Sequence, residues 1–165
     1  MSPSGRDPGS DAETSPLLVA ITRLDPDLAL PAYARPGDAG LDLVARNAAV
    51  LSAGGGRALI PTGVAVAIPP GHAGFILPRS GFAARHGLSI VNSPGLVDSG
   101  YRGELIVALF NTDPNEDMHI ERGDRIAQLV ILAVPAVRLI EVASLPESPG
   151  GKVSRGTGGY GHTGR

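Results

Sequence analysis

The chain has 165 residues with 14 Lys and Arg against 16 Asp and Glu, a length that suits one domain and a balance that offers no positive field for holding a nucleic-acid backbone. It has no cysteine, so it can form neither a disulfide nor a thiolate zinc site, which suits a reducing cytoplasm; its four histidines, His72, His86, His119 and His162, are too scattered for an HExxH-type metal helix. The longest apolar run, Ala127 to Val137, contains Gln128 and Pro135 and falls short of the roughly 20 residues of a membrane span, so neither a membrane nor a nucleic acid is expected as partner.

Residues 1–16 are polar and rich in Ser, Gly, Pro and acid, lack the apolar run of a secretion signal, and read as a disordered leader. The 23 Gly and 15 Pro leave almost no window for a helix of ordinary length, so residues 17–144 are expected to form one all-β domain. Its strands, short, β-branched and separated by turn residues, begin with Leu17–Leu24. ARPGDAGLDL follows as a tight turn that leaves Asp38 or Asp42 solvated. Leu59–Ile68 and Gly74–Leu77 are the next strands. PRSGFAARHG then predicts a short helix with Ser80 as N-cap and Gly87 as the left-handed residue after it. Arg79, the Ser80 hydroxyl and backbone N–H groups there could cradle a phosphate.

Leu88–Val91 leads into SPGLVDSGYRG, a hairpin loop, and then come strands Glu104–Asn111, Arg125–Leu132 and Val137–Val142. Within them LIVALF and AQLVIL are apolar on both faces, which demands a second cover such as another subunit. Residues 145–165 are a hinge, Leu145 to Gly151, followed by a flexible arm whose last dozen residues hold five glycines. RGTGGYGHTG lacks the Lys and the following helix of a Walker A loop. Its Arg155 could clamp a phosphate and its Tyr160 could stack on a base.

Each glycine-rich stretch alone reads as an ordinary turn; their company and order say more. ARPGDAGLDL, PRSGFAARHG, VNSPGLVDSGYRGE, RGDRIAQ and RGTGGYGHTG together resemble the five motifs of the dUTP diphosphatase family, from about Arg35 to Gly164. The resemblance implies a distorted jelly-roll barrel of the β-clip type, a homotrimer with active sites at subunit interfaces and an exchanged C-terminal arm. It implies hydrolysis of dUTP to dUMP and pyrophosphate, limiting uracil in DNA and supplying dUMP for thymidylate synthesis.

By motif, Asp98 would activate the attacking water and Tyr101 would pack under the deoxyribose and exclude a 2′-hydroxyl. Asn92 and the hairpin at Gly95, Leu96 and Val97 would bind the uracil edge, with Ile106 a further substrate contact. Arg79, Ser80, Gly81 and Gln128 would hold phosphates. Asp42 would hold a water on Mg²⁺, the metal being otherwise bound by the substrate. From a neighbouring subunit the arm would bring Arg155 to the γ-phosphate, Gly158 beside it, and Tyr160 over the uracil. Tyr160 stands where the family commonly has Phe, and His162 where Ser is usual. The competing readings are a dCTP deaminase-type relative and a non-catalytic protein that senses dUTP.

Overall fold

The computed structural model describes residues 15–146. Its elements in chain order are β1 (Ala20–Arg23), β2 (Leu41–Val44), β3 (Ala49–Leu51), β4 (Arg57–Ala67), β5 (His72–Leu77), α1 (Ser80–His86), β6 (Leu88–Ile90), β7 (Gly95–Val97), β8 (Glu104–Asn111), β9 (Met118–Ile120) and β10 (Arg125–Ala133). One four-stranded sheet runs β1-β4-β8-β6, a second runs β2-β10-β5-β7, and β3 pairs with β9. Neighbouring strands in these sheets are antiparallel. The architecture is the expected all-β, distorted jelly-roll type.

Alternation explains how the sheets meet. In β8, Leu105, Val107 and Leu109 point inward and are buried, while Ile106 between them is half exposed. They pack against Leu43, Ile76, Ile126 and Leu129 of the opposite sheet, and apolar area removed from water here is the main stabilising term. Buried Asn111 closes β8: its Nδ2 donates to the carbonyls of Leu51 at 3.0 Å and Glu116 at 2.8 Å, and its Oδ1 accepts from the Asp113 N–H at 3.0 Å. An ion network braces the other end. Arg122 donates to both Asp25 oxygens at 2.7 and 2.9 Å, and Arg46 joins Asp25 to Glu104 at 3.2 and 3.3 Å. The Arg122 guanidinium holds the Asp25 carboxyl well below the usual carboxylate range.

The expected strands over Leu59–Ile68, Gly74–Leu77, Leu88–Val91, Glu104–Asn111 and Arg125–Leu132 form within two residues of their predicted ends, and Leu17–Leu24 shrinks to Ala20–Arg23. Val137–Val142 is not a strand; Val137, Leu139 and Ile140 lie exposed, and a strand without a partner edge has no ladder to join. Four strands arise where turns or nothing were expected, among them Leu41–Val44 inside the presumed turn. Ser80 is not the N-cap. Arg79 is, with extended backbone and no side-chain cap, and its carbonyl accepts from Phe82 and Ala83. Gly87 closes the helix at φ 62°, as expected.

The chain divides into a unit ending at Pro135 and a C-terminal unit starting at Ala136, which has neither helix nor strand over its described residues, 136–146. Among the described residues no helix is long and apolar enough to cross a membrane.

Candidate functional site

The predicted site residues fall into two clefts. The first is set by the segment from β6 to β8. Val97 and Gly95 are buried and Leu96 between them is exposed, so β7 presents its ends to the core and delivers Asp98 to the surface immediately beyond. The Tyr101 N–H donates to the Asp98 carbonyl at 3.0 Å, closing a turn, and the Tyr101 hydroxyl donates to the Glu104 carbonyl at 2.8 Å. The preceding Ser93–Pro94 peptide bond is cis. Asn92, Gly95, Leu96, Val97, Asp98, Tyr101 and Ile106 all line this cleft of about 200 Å³, over a floor that includes Ile76 and Ile90. It is apolar below and polar at the rim, and smaller than the roughly 300 Å³ at which clefts for drug-sized ligands begin.

The second cleft, about 510 Å³, is lined by Asp42, Arg79, Ser80, Gly81, Arg85, Arg125 and Gln128. Asp42, Gln128 and Leu77 are cross-strand partners in one row over β2, β10 and β5, so their side chains share a face. Arg79 Nε donates to Asp42 Oδ1 at 2.8 Å and Arg125 donates to Oδ2 at 3.2 Å. Gln128 Nε2 donates to the Pro78 carbonyl at 3.0 Å, with its amide against Gly40, where a Cβ would collide with it. Asp42 is therefore not the solvated turn residue that its local sequence suggests.

Ile76 lines the first cleft and Leu77 the second. Consecutive strand residues project from opposite faces, so the clefts open on opposite sides of the sheet that contains β5. Asp98 is brought together with the hairpin residues, and Arg79, Ser80, Gly81, Gln128 and Asp42 with one another, but the two groups are not brought together within the chain. Arg155, Gly158 and Tyr160, with the arm they belong to, lie outside the described residues.

Among the described residues no three acidic or histidine side chains converge as a metal-ligand set. Asp42 offers one carboxylate whose oxygens each accept one guanidinium hydrogen bond and keep further lone pairs. That fits a hard ion such as Mg²⁺, which keeps waters and takes few protein carboxylates when phosphates supply the rest. Arg85, Arg125 and Gly40 were not singled out from the sequence; RGDRIAQ holds Arg125, but its face depends on strand pairing.

A family model described as dUTPase matches residues 27–164. The deoxyuridine 5'-triphosphate nucleotidohydrolase of Thermobifida fusca is 58% identical over 146 residues, 88% of this chain and 78% of that protein. The protein of the same name from Mycolicibacterium vanbaalenii is 55% identical over 149 residues, 90% of this chain and 96% of that one. Among solved structures, a mutant of the Staphylococcus bacteriophage 80alpha dUTPase with dUpNHpp matches at a TM-score of 0.79 and 28% identity, over 90% of this chain and 99% of that chain. A mutant dUTPase from phage phi11 of S. aureus, described as revealing the coordination of a structural Mg(II) ion, matches at 0.72 and 26%, over 78% and 98%. With a family model that spans most of its length and relatives identical at more than half of the aligned positions, the chain belongs to the dUTPase family.

Proposed function

We propose that this protein hydrolyses dUTP to dUMP and pyrophosphate as a cytoplasmic homotrimer, limiting uracil in DNA and supplying dUMP. The observation that carries the reading is the division of the site: a base-sized cleft with Asp98 at its rim on one face of the β5 sheet, a cationic cleft with Arg79 and Gln128 on the other. One copy cannot wrap a whole nucleoside triphosphate with both. A second copy that sets its cationic cleft against the first copy's hairpin can. Leu59, Leu96 and Leu132 are exposed at 73%, 61% and 51%, apolar side chains that a neighbouring copy would cover.

In this reading the hairpin backbone from Gly95 to Asp98 and Asn92 hold the uracil edge. Fixed donors and acceptors there would be left unpaired by cytosine, and sites built so discriminate by roughly 10⁴ or more. Tyr101 lies under the deoxyribose. Asp98 accepts a proton from the water as its oxygen bonds to the α-phosphorus; the bond from that phosphorus to the bridging oxygen breaks, and pyrophosphate leaves with the electron pair. Arg79, Ser80, Gly81 and Gln128 orient the phosphates, and holding water and phosphorus in line recovers much of the barrier. Mg²⁺, carried by the substrate and reached by Asp42 through water, would spread the phosphate charge. The arm supplies Arg155 and lays Tyr160 over the base, with Gly158 between them.

The test is a panel of dUTP, dTTP, dCTP and UTP with and without Mg²⁺, following pyrophosphate and ammonia. Pyrophosphate from dUTP alone, dependent on Mg²⁺ and abolished in Asp98→Asn while nucleotide still binds, is expected. Ammonia from dCTP, or binding of dUTP without turnover, would replace this reading with a deaminase or a sensor.

A further inference from the structure

Glu104, the first residue of β8, lines neither cleft, yet its side chain and its main chain are tied to different parts of the molecule. Its carboxylate meets an irregularity in β4. The pairing of β4 with β8 runs Pro61 to Ile106 and then Ala65 to Glu104, so four steps along β4 answer two along β8. The residues between, Thr62 to Val64, leave that ladder, and their polar groups need other partners. The Thr62 hydroxyl donates to the Leu105 carbonyl at 2.8 Å, and the Gly63 N–H donates to Glu104 Oε1 at 2.7 Å. The Gly63 carbonyl accepts from the Leu24 and Asp25 N–H groups at 2.7 and 3.2 Å, and its φ of 74° is one that glycine adopts without strain.

Arg46 binds the same carboxylate. Its Nη1 donates to Glu104 Oε2 at 3.3 Å and Oε1 at 3.4 Å, while its Nε donates to Asp25 Oδ2 at 3.2 Å. Hydrogen bonds to an ionised partner are roughly twice as strong as neutral ones, and only 20% of the Glu104 side chain is exposed, so solvent screens the pair less than one on an open surface. The main chain of Glu104 serves the first cleft. Its carbonyl accepts the Tyr101 hydroxyl at 2.8 Å, and the Tyr101 N–H in turn donates to the Asp98 carbonyl at 3.0 Å. Residues 98–103 contain neither helix nor strand, so Glu104 is where the loop carrying Asp98 and Tyr101 first joins a paired strand.

We propose that Glu104 is a positioning residue for sugar selection: its carboxylate, seated in the β4 bulge and paired with Arg46, fixes the main-chain carbonyl on which the Tyr101 hydroxyl rests, and so sets where the ring stands. The inference rests on reading Tyr101 as the platform under the deoxyribose. A carboxylate present only to satisfy Gly63 would affect stability and leave the choice of sugar alone; one that holds the platform affects both. dUTP and UTP share base and triphosphate, so the ratio of their kcat/KM values isolates the sugar.

The experiment measures that ratio in the full-length protein for wild type, Glu104→Ala, Glu104→Gln and Arg46→Met, with melting curves alongside, and repeats Glu104→Ala and Arg46→Met in a Tyr101→Phe background. Because a shift of about 1 Å at a substrate-positioning group is costly, Glu104→Ala is expected to narrow the preference for dUTP by roughly fivefold or more and Arg46→Met by about twofold. Glu104→Gln keeps an oxygen for the Gly63 N–H and regains most of the preference. In Tyr101→Phe the hydroxyl that links the two residues is gone, so neither added substitution should narrow the ratio further. An unchanged ratio in Glu104→Ala or Arg46→Met, a glutamine variant as poor as the alanine one, or the same narrowing in the Tyr101→Phe background overturns the proposal. Where Glu104→Ala does not fold, Arg46→Met with and without Tyr101→Phe makes the same comparison. An unchanged ratio in Tyr101→Ala overturns the proposal together with the reading beneath it, whereas a narrowed ratio in Tyr101→Ala with an indifferent Glu104→Ala removes this proposal alone.

Discussion

Gly103 is where a single carbon should change which sugar the protein accepts. The Tyr101 side chain folds back over it, so a Cβ at this position would lie 2.5 Å from the tyrosine oxygen and 2.8 Å from Cζ. Carbon contacts settle near 3.5 to 4.0 Å, so in Gly103→Ala the ring has to retreat by roughly 1 Å. Its hydroxyl then leaves the Glu104 carbonyl, a neutral hydrogen bond contributing about 1 kcal/mol, which at this chain length moves Tm by only about 2 to 4 °C. The cost to function is larger, because a displacement of about 1 Å can lower turnover by as much as 10²-fold. We expect kcat/KM for dUTP to fall roughly 10- to 100-fold, about 1.4 to 2.7 kcal/mol of transition-state stabilisation. The preference for dUTP over UTP should narrow. Steady-state kinetics on both nucleotides, with melting curves as control, measure this; an unchanged dUTP to UTP ratio would refute the placement of the ring under the sugar.

Three further outcomes are expected. Asp25 titrates well below an ordinary carboxylate because Arg122 hydrogen-bonds it, so its contribution to stability is complete above the usual pKa of about 3.9 and is lost as pH falls below that toward its lowered value. Asp25→Asn should lower Tm at neutral pH and flatten the acid limb of the Tm profile; an unaltered acid limb would reject the pairing. Asn111→Ala leaves the carbonyls of Leu51, Ser52 and Glu116 without their shared donor, and should cost about 3 kcal/mol, read in chemical denaturation as a lower midpoint at constant m. Deleting residues 154–165 should leave a folded trimer by sedimentation with sharply reduced dUTP hydrolysis; full activity would remove the arm from the mechanism.

What could be read in the sequence depended on length of pattern. Glu104–Asn111 is a long β-branched and apolar run bounded by turn residues, and its ends were legible to the residue, whereas Ala49–Leu51, Gly95–Val97 and Met118–Ile120 are each three residues, too few to establish a run or a period of two. Leu41–Val44 hid behind Pro36, Gly37, Asp38 and Gly40, whose turn chemistry is real but ends one residue earlier. The hairpin residues and the Arg79 and Gln128 group were found through motif order, but nothing local says that they occupy different clefts; that follows from the parity of Ile76 and Leu77 on β5. Arg125 escaped notice because its face is decided by a bulge in pairing with β2. Gly40 and Gly103 escaped because a close approach by a distant or folded-back side chain leaves no mark on the glycine's neighbours.

The parity of β5 also constrains how such a protein can change over time. The strand is a party wall, with one tenant on either side, and losing or gaining a single residue ahead of Ile76 would exchange the rooms, turning a core isoleucine toward charged lodgers and a peripheral leucine toward the hairpin. Substitutions there can be absorbed one at a time, but length cannot drift. The Thr112 to Asp117 connection contributes to neither chamber, yet its Asp113 N–H and Glu116 carbonyl are bound by Asn111, so its length is held as well.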